Sequence, residues 1–165
     1  MTAPTPAAGE PQGDWQPQII AFCCNYCAYA AADLAGSRRM QYPTNVRIVR
    51  LPCTGKLEIE HILAAFEKGI DGILVAGCLE GGCHFQEGNL RARRRTDKVR
   101  DMLDEIGVGR ERLLMVNLSA AMAPTFVERV NQIVQTVRAL GPNPLKAAAD
   151  GGAESTPARQ GVVSQ

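Results

Sequence analysis

The chain is expected to fold as an α/β domain around a four-stranded parallel sheet. Three observations lead there: four short apolar segments of strand length, a segment of helical character after each, and glycines or prolines at the junctions. The first strand is Gln18 to Cys23 (QIIAFC), a nearly continuous apolar run that suits a strand covered on both faces. Tyr26 to Ser37 follows, Ala-rich and helix-prone, closing near Gly36. Val46 to Leu51 (VRIVRL) is the second strand, ended by Pro52. Leu57 to Lys68 is amphipathic, with Leu57, Ile59, Ile62, Leu63 and Phe66 near helical spacing, and Gly69 ends it. Gly72 to Ala76 (GILVA) is the third strand. Glu87 to Ile106 reads as a long helix with Val99, Leu103 and Ile106 on its apolar stripe. Leu113 to Leu118 (LLMVNL) is the fourth strand. Ser119 is the expected N-cap of the last helix, which continues through Phe126 to Leu140 with Phe126, Val130, Ile133 and Val137 on one face.

Right-handed crossovers leave few topologies for such a string, and a flavodoxin-like three-layer α/β/α arrangement with strand order 2-1-3-4 is the expectation. At 165 residues the chain holds one domain, residues 18–140. The flanks, 1–17 and 141–165, are rich in Pro, Ala, Gly, Ser and Thr, lack apolar periodicity and are expected to be disordered.

Composition excludes several function classes. Formal net charge is +1, so no overall field attracts nucleic acid or an anionic membrane. The longest apolar run is far shorter than a bilayer span. The N-terminus has neither a basic region nor an apolar stretch of the secretory kind, so a cytoplasmic location is expected. In that compartment the six cysteines stay reduced, and they read as metal ligands or redox groups rather than disulfides.

Their placement carries the argument. Cys23 and Cys24 end the first strand, and Cys27 lies in the turn beyond it. Cys53 follows the second strand across one proline. Cys78 follows the third strand, and Cys83 lies five residues on in the same loop. In a parallel sheet the C-terminal ends of all strands share one edge, so the six thiols are expected to converge there, at the crevice where such folds bind ligands. Thiolates select zinc, copper(I) or iron–sulfur clusters. Only Cys24-Asn25-Tyr26-Cys27 has the spacing of a zinc knuckle. Ligands arriving from three loops, with Gly55, Gly77, Gly81 and Gly82 leaving room for backbone N–H groups to approach sulfide, favour an iron–sulfur cluster. A zinc-stabilised interaction module and a thiol–disulfide oxidoreductase using the Cys24/Cys27 pair stay open on spacing alone.

Other residues weigh less. A Rieske-type centre needs two histidines beside two cysteines, and only Cys83-His84 is adjacent; His84 is expected to donate to a sulfur or to backbone, and His61 starts the second helix. Gly88 and Asn89 are expected to turn the chain into the third helix. Asp33 and Asp71 read as turn and helix polar groups, with no second carboxylate for acid–base work. Arg91, Arg94, Arg95 and Lys98 share one helix face, read as solvated or as a dock for an acidic partner rather than for nucleic acid. The loop Gly77 to Gly82 lacks both dinucleotide and Walker fingerprints.

The segments IIAFCCNYCAYAAADLAG, RRMQYPTNVRIVRLPCTGKL, AFEKGIDGILVAGCLEGGCHFQEGN and IGVGRERLLMVNLSAAMAPTF resemble the delta subunit of methyl-viologen-reducing hydrogenase, in order and across the whole core. The resemblance implies a non-catalytic electron-transfer subunit with a [2Fe–2S] cluster in a hetero-oligomeric complex. It implies a hydrogenase or formate dehydrogenase as electron donor, and the FAD-containing, iron–sulfur A subunit of heterodisulfide reductase as acceptor. The family's thiols map onto Cys24, Cys27, Cys53, Cys78 and Cys83, five candidates for a four-thiolate cluster, while Cys23 falls where relatives carry an apolar residue. Tyr26 stands where a tryptophan is common, and Leu79 and Gly82 where more polar residues are.

Overall fold

Each apolar segment forms a strand and each following segment a helix. The computed structural model describes residues 15–146. The strands are β1 (Ile19–Cys24), β2 (Val46–Leu51), β3 (Gly72–Cys78) and β4 (Leu113–Leu118). The helices are α1 (Ala28–Ser37), α2 (Ile59–Glu67), α3 (Gly88–Glu105) and α4 (Ala123–Leu140). All strand pairs are parallel and the order is β2-β1-β3-β4, so the flavodoxin-like expectation holds.

The sheet separates two apolar cores. On one face α1 contributes Ala28, Ala31 and Ala32, and α4 contributes Phe126, Val130, Ile133 and Val137. The small residues of α1 let it lie close to the sheet beside the bulkier α4. On the other face Ile62 and Phe66 of α2 and Val99 and Leu103 of α3 meet Phe22, Ile73, Val75 and Leu113. Central β3 is buried at every position, which explains its unbroken apolar run.

Several element ends differ from expectation: β1 and β3 run on through Cys24 and Cys78, and α2 begins at Ile59 rather than Leu57. α1 begins at Ala28, because Asn25 to Cys27 form a turn and Cys27 takes the N-cap position. α4 begins at Ala123 rather than after Ser119: Pro124 occupies its first turn, where a missing N–H is harmless, and the Ser119 N–H is held by the Met122 sulfur at 3.3 Å. Ile106 is exposed beyond the end of α3 and does not join the stripe of Val99 and Leu103.

The expected tails fall mostly outside the described residues. Of the flanking residues that are described, Trp15 packs against the α1/α4 core, and Asn143 is buried beyond α4. The Asn143 amide donates to the Phe66 and Ile70 carbonyls, and its N–H donates to Asp71. Asp71 also accepts the Gln18 N–H at 2.8 Å, and buried Arg112 donates to the carbonyls of Val108, Asp71, Gly141 and Pro142. This polar knot closes the edge of the sheet where the strands begin. The opposite edge carries the thiols.

Candidate metal centre

The register determines which sulfurs meet. β1 and β3 are neighbours at the point where the sheet reverses its winding, and Cys24 and Cys78 are their last residues. Their sulfurs lie 3.4 Å apart, both nearly inaccessible to solvent. The Cys27 thiol, from the turn after β1, is within hydrogen-bonding reach of Cys78.

The second pair is Cys53 and Cys83. Cys53 caps a single 3-10 turn, Thr54–Lys56, and its sulfur accepts the Gly55 N–H at 3.4 Å. Cys83 reaches it from the β3–α3 loop, close enough to share a hydrogen bond. Both sulfurs crowd the α-carbon of Gly88, the first residue of α3: a Cβ there would overlap the Cys53 sulfur and lie 3.3 Å from that of Cys83. Gly55 in turn packs against the Gly88 backbone, where a Cβ would stand 2.7 Å from the Gly88 α-carbon. Two glycines thus allow two backbone segments to close over the thiols.

The electrostatics differ between the pairs. Burial pushes Cys78 well above the ordinary thiol value, reinforced by the neighbouring Cys27 and Cys24 thiols, while the His84 N–H pulls it partly back. Burial likewise raises Cys53, against the Gly55 N–H. At Cys83 burial also opposes the thiolate, but the N–H groups of Asn89, Phe85 and Gly88 outweigh it and leave the thiol below its ordinary value. The Gly88 and Asn89 N–H groups belong to the first turn of α3, whose positive end favours sulfur anions, and that of Phe85 to the loop before it. Cys23 is separate: it lies in the α1/α4 core, where burial and then Cys24 push it up to about 12.

The loop between Cys78 and Cys83 is held by amides. The Asn89 side chain, fully buried, donates to the Cys78 carbonyl at 3.1 Å and to the Leu79 carbonyl at 2.9 Å. Asn117, at the end of β4, also donates to the Cys78 carbonyl and accepts from Arg93. Above the sulfurs the His84 imidazole stacks on Tyr26, so this residue reaches the site through its backbone N–H rather than its ring. His61 is engaged elsewhere: its Nδ1 accepts the Glu58 N–H in a capping box at the start of α2.

All five thiols expected at the site therefore lie at one edge, as two pairs with Cys27 beside one of them. Among the described residues, no three Cys, His, Asp or Glu side chains are placed to hold a single metal ion. The gathered thiols, nearby backbone N–H donors and glycine-thin walls fit an iron–sulfur cluster.

Residues 19–141 match the family described as methyl-viologen-reducing hydrogenase, delta subunit. The chain belongs to this delta-subunit family. Among its relatives, the D-type iron–sulfur subunit of the vhu F420-non-reducing hydrogenase of Methanocaldococcus jannaschii is 53% identical over 131 residues, covering 79% of this chain and 98% of the relative. The corresponding iron–sulfur subunit of the F420-non-reducing hydrogenase of Archaeoglobus profundus is 42% identical, covering 78% and 94%. A third relative is much longer. The A-type subunit of the ferredoxin/F420H2-dependent CoB–CoM heterodisulfide reductase of Methanosarcina acetivorans is 41% identical over 126 residues, 76% of this chain but 16% of that protein.

No helix among the described residues of this delta-subunit chain is long and apolar enough to cross a membrane. Sequence reasoning missed the clamping role of Asn89 and the part of Asn117. An asparagine one residue inside a helix, after a loop that must carry ligands, was the available signal for the first. The second had none, because β4 holds no cysteine and is brought to the site only by its pairing with β3.

Proposed function

We propose that this chain is an electron-transfer subunit that holds one [2Fe–2S] cluster in the thiolates of Cys24, Cys53, Cys78 and Cys83, with Cys27 as the fifth, non-ligating thiol. The observation that carries the reading is the gathering of sulfurs at one sheet edge, Cys24 3.4 Å from Cys78 and Cys53 and Cys83 both against Gly88, four thiolates that would hold a two-iron cluster. A bound cluster would supply one-electron redox chemistry. The chain's own part is to bring the ligands from three loops, to donate N–H groups of Gly55, His84 and Asn89 toward sulfur, and to screen the site with Tyr26 and Phe85. It serves in a cytoplasmic hetero-oligomeric complex, relaying electrons from a hydrogenase- or formate-dehydrogenase-like donor to a heterodisulfide-reductase-A-like flavoprotein. The hydrogenase relatives support the donor side, and the long Methanosarcina relative supports the acceptor side.

The test is metal analysis of protein reconstituted without oxygen. About two irons and two sulfides per chain are expected, with visible charge-transfer bands that dithionite bleaches. Cys24→Ser, Cys53→Ser, Cys78→Ser and Cys83→Ser should each lower iron content or alter the bands, whereas Cys27→Ser should keep both. A colourless protein with one zinc per chain would replace this reading with that of a zinc-stabilised module. Loss of the cluster in Cys27→Ser, with one of the other four dispensable, would reassign the ligand set.

A further inference from the structure

The basic residues of α3 have separate fates in the folded chain. Arg91 pairs with Glu87 at 3.7 Å on the exposed surface. Arg95 is held by Glu58 at 2.9 Å and donates to the Gly55 and Leu57 carbonyls. Arg94 and Lys98 are exposed and have no ion-pair partner among the described residues. Arg93 instead reaches toward β4, where its guanidinium donates to the side-chain oxygen of Asn117. The Asn117 amide nitrogen in turn donates to the carbonyl of Cys78, the last residue of β3. A helix cation is thereby connected to the peptide of a site cysteine through a single side chain.

These bonds run in one direction. A guanidinium can only donate and a carbonyl can only accept, so the amide between them presents oxygen to Arg93 and nitrogen to Cys78. Bonds aligned head to tail polarise one another, which carries the influence of the arginine charge to the far end. The Cys78 carbonyl also takes the Asn89 amide at 3.1 Å, so two side-chain donors fix its peptide. Arg93 has a further contact on the same side. Its Nε lies 3.6 Å from Glu80, two residues beyond Cys78, with the arginine side chain 41% exposed and the glutamate 64%. A contact that long and that exposed is weak, so much of the arginine charge stays uncompensated. Glu58 holds Arg95 far more closely.

We propose that Arg93 is a positioning residue that raises the reduction potential of the centre, acting through Asn117 on the Cys78 peptide, with Glu80 as the counter-charge that limits the rise. The proposal rests on the electron-transfer reading above and adds the residues that tune the site. Reduction places one more negative charge among the thiolates. A fixed cation nearby lowers the energy of that state, and a fixed carboxylate raises it. Net charge and hydrogen bonding around the ligands are among the quantities that set such potentials. The guanidinium stays protonated at every working pH, so its contribution is permanent. Asn117 determines where that charge sits, because its oxygen holds the guanidinium while its nitrogen holds the Cys78 carbonyl.

The experiment is a redox titration of the whole chain after anaerobic reconstitution, followed by its visible bands, with iron and sulfide counted on every sample. At the wild-type midpoint, oxidised Arg93→Gln should exceed reduced by about three- to tenfold, a fall of up to about 59 mV for one electron. Glu80→Gln should move the potential the opposite way, and by less, because its carboxylate is the more exposed group. Arg93→Lys keeps a charge and a donor and should stay near the wild type. Arg94→Gln removes the same charge from an exposed neighbour that has no bond toward Cys78, and should also stay there. In an Asn117→Ala background the Arg93→Gln shift should shrink by about half or more, and a full shift there would overturn the role given to Asn117. A purely structural role would move Arg93→Gln and Glu80→Gln in the same direction; that result, or a wild-type potential in Arg93→Gln, overturns the proposal. If Arg93→Gln loses its iron, Glu80→Gln decides, and a potential that does not rise overturns the proposal. Wild type without a two-iron cluster overturns the electron-transfer reading and the tuning with it, whereas a loaded wild type with no shift in Arg93→Gln overturns the tuning alone.

Discussion

Gly88 occupies the most crowded position at the site, and its missing side chain is a requirement of the sulfur arrangement. An alanine would ordinarily favour the first turn of a helix, by up to about 1 kcal/mol. Here its Cβ would overlap the Cys53 sulfur, and the cheapest relief is rotation of that thiol away from Cys83. Gly88→Ala is therefore expected to keep the far-ultraviolet dichroism of the fold and to lose bound iron. Full iron content in this variant would show that Cys53 can serve from another rotamer. Asn89 acts through hydrogen bonds rather than space. Its replacement by alanine leaves the Leu79 carbonyl with the Gly82 N–H alone and the Cys78 carbonyl with Asn117. Asn89→Ala is expected to lower stability by about 1–3 kcal/mol in urea denaturation and to shift the reduction potential, since the Cys78–Cys83 loop relaxes around the sulfurs. A pure stability loss with an unchanged potential would make Asn89 a packing residue only.

At the scale of elements, α3 begins at the site. Its first turn aims the Gly88 and Asn89 N–H groups at Cys83. Its interior is ordinary: Val99 and Leu103 seal the core on that face. The end of α4 is secured differently. Arg112, just before β4, is buried; burial pushes its guanidinium below the ordinary value, Asp71 pushes back, and its donors reach carbonyls of the chain that leaves α4. Removing the guanidinium strands those carbonyls and takes away the positive charge facing Asp71, whose carboxylate keeps the Gln18 and Asn143 N–H groups. Arg112→Met is expected to cost about 3 kcal/mol or more, read as a lower urea midpoint with an unchanged visible spectrum, because this knot lies at the edge remote from the thiols. A spectrum that changes with the midpoint would couple the two edges.

At the scale of the whole molecule, the site is a consequence of topology. Cys53 and Cys83 meet although 30 residues separate them, because every strand of a parallel sheet ends on the same side. The α/β framework has two apolar cores of its own, so the thiols are not needed to build it. Ligation should still stabilise it, because a cluster bound by the folded arrangement draws the equilibrium toward that state. Anaerobic loading is expected to raise the melting temperature of the wild type and to leave that of Cys53→Ser nearly where it was. An equal rise in both would place the bound iron elsewhere.

How much of this could be read in advance depended on the range of the forces involved. The strand order, the positions of the four strands and the convergence of Cys24, Cys27, Cys53, Cys78 and Cys83 at one edge follow from apolar periodicity and chain connectivity, which a linear sequence carries in full. Helix ends were less legible: Ser119 looked like a cap, but Pro124 moved the start of α4 to Ala123. Which thiol pairs with which was not legible at all. Cys24 neighbours Cys27 in sequence yet meets Cys78 in space, because pairing of β1 with β3 brings their last residues together. Asn117, Arg112 and Asn143 likewise acquired their roles from partners more than 25 residues away. Local pattern determines what each segment becomes, and only packing determines which distant polar atoms are left needing one another.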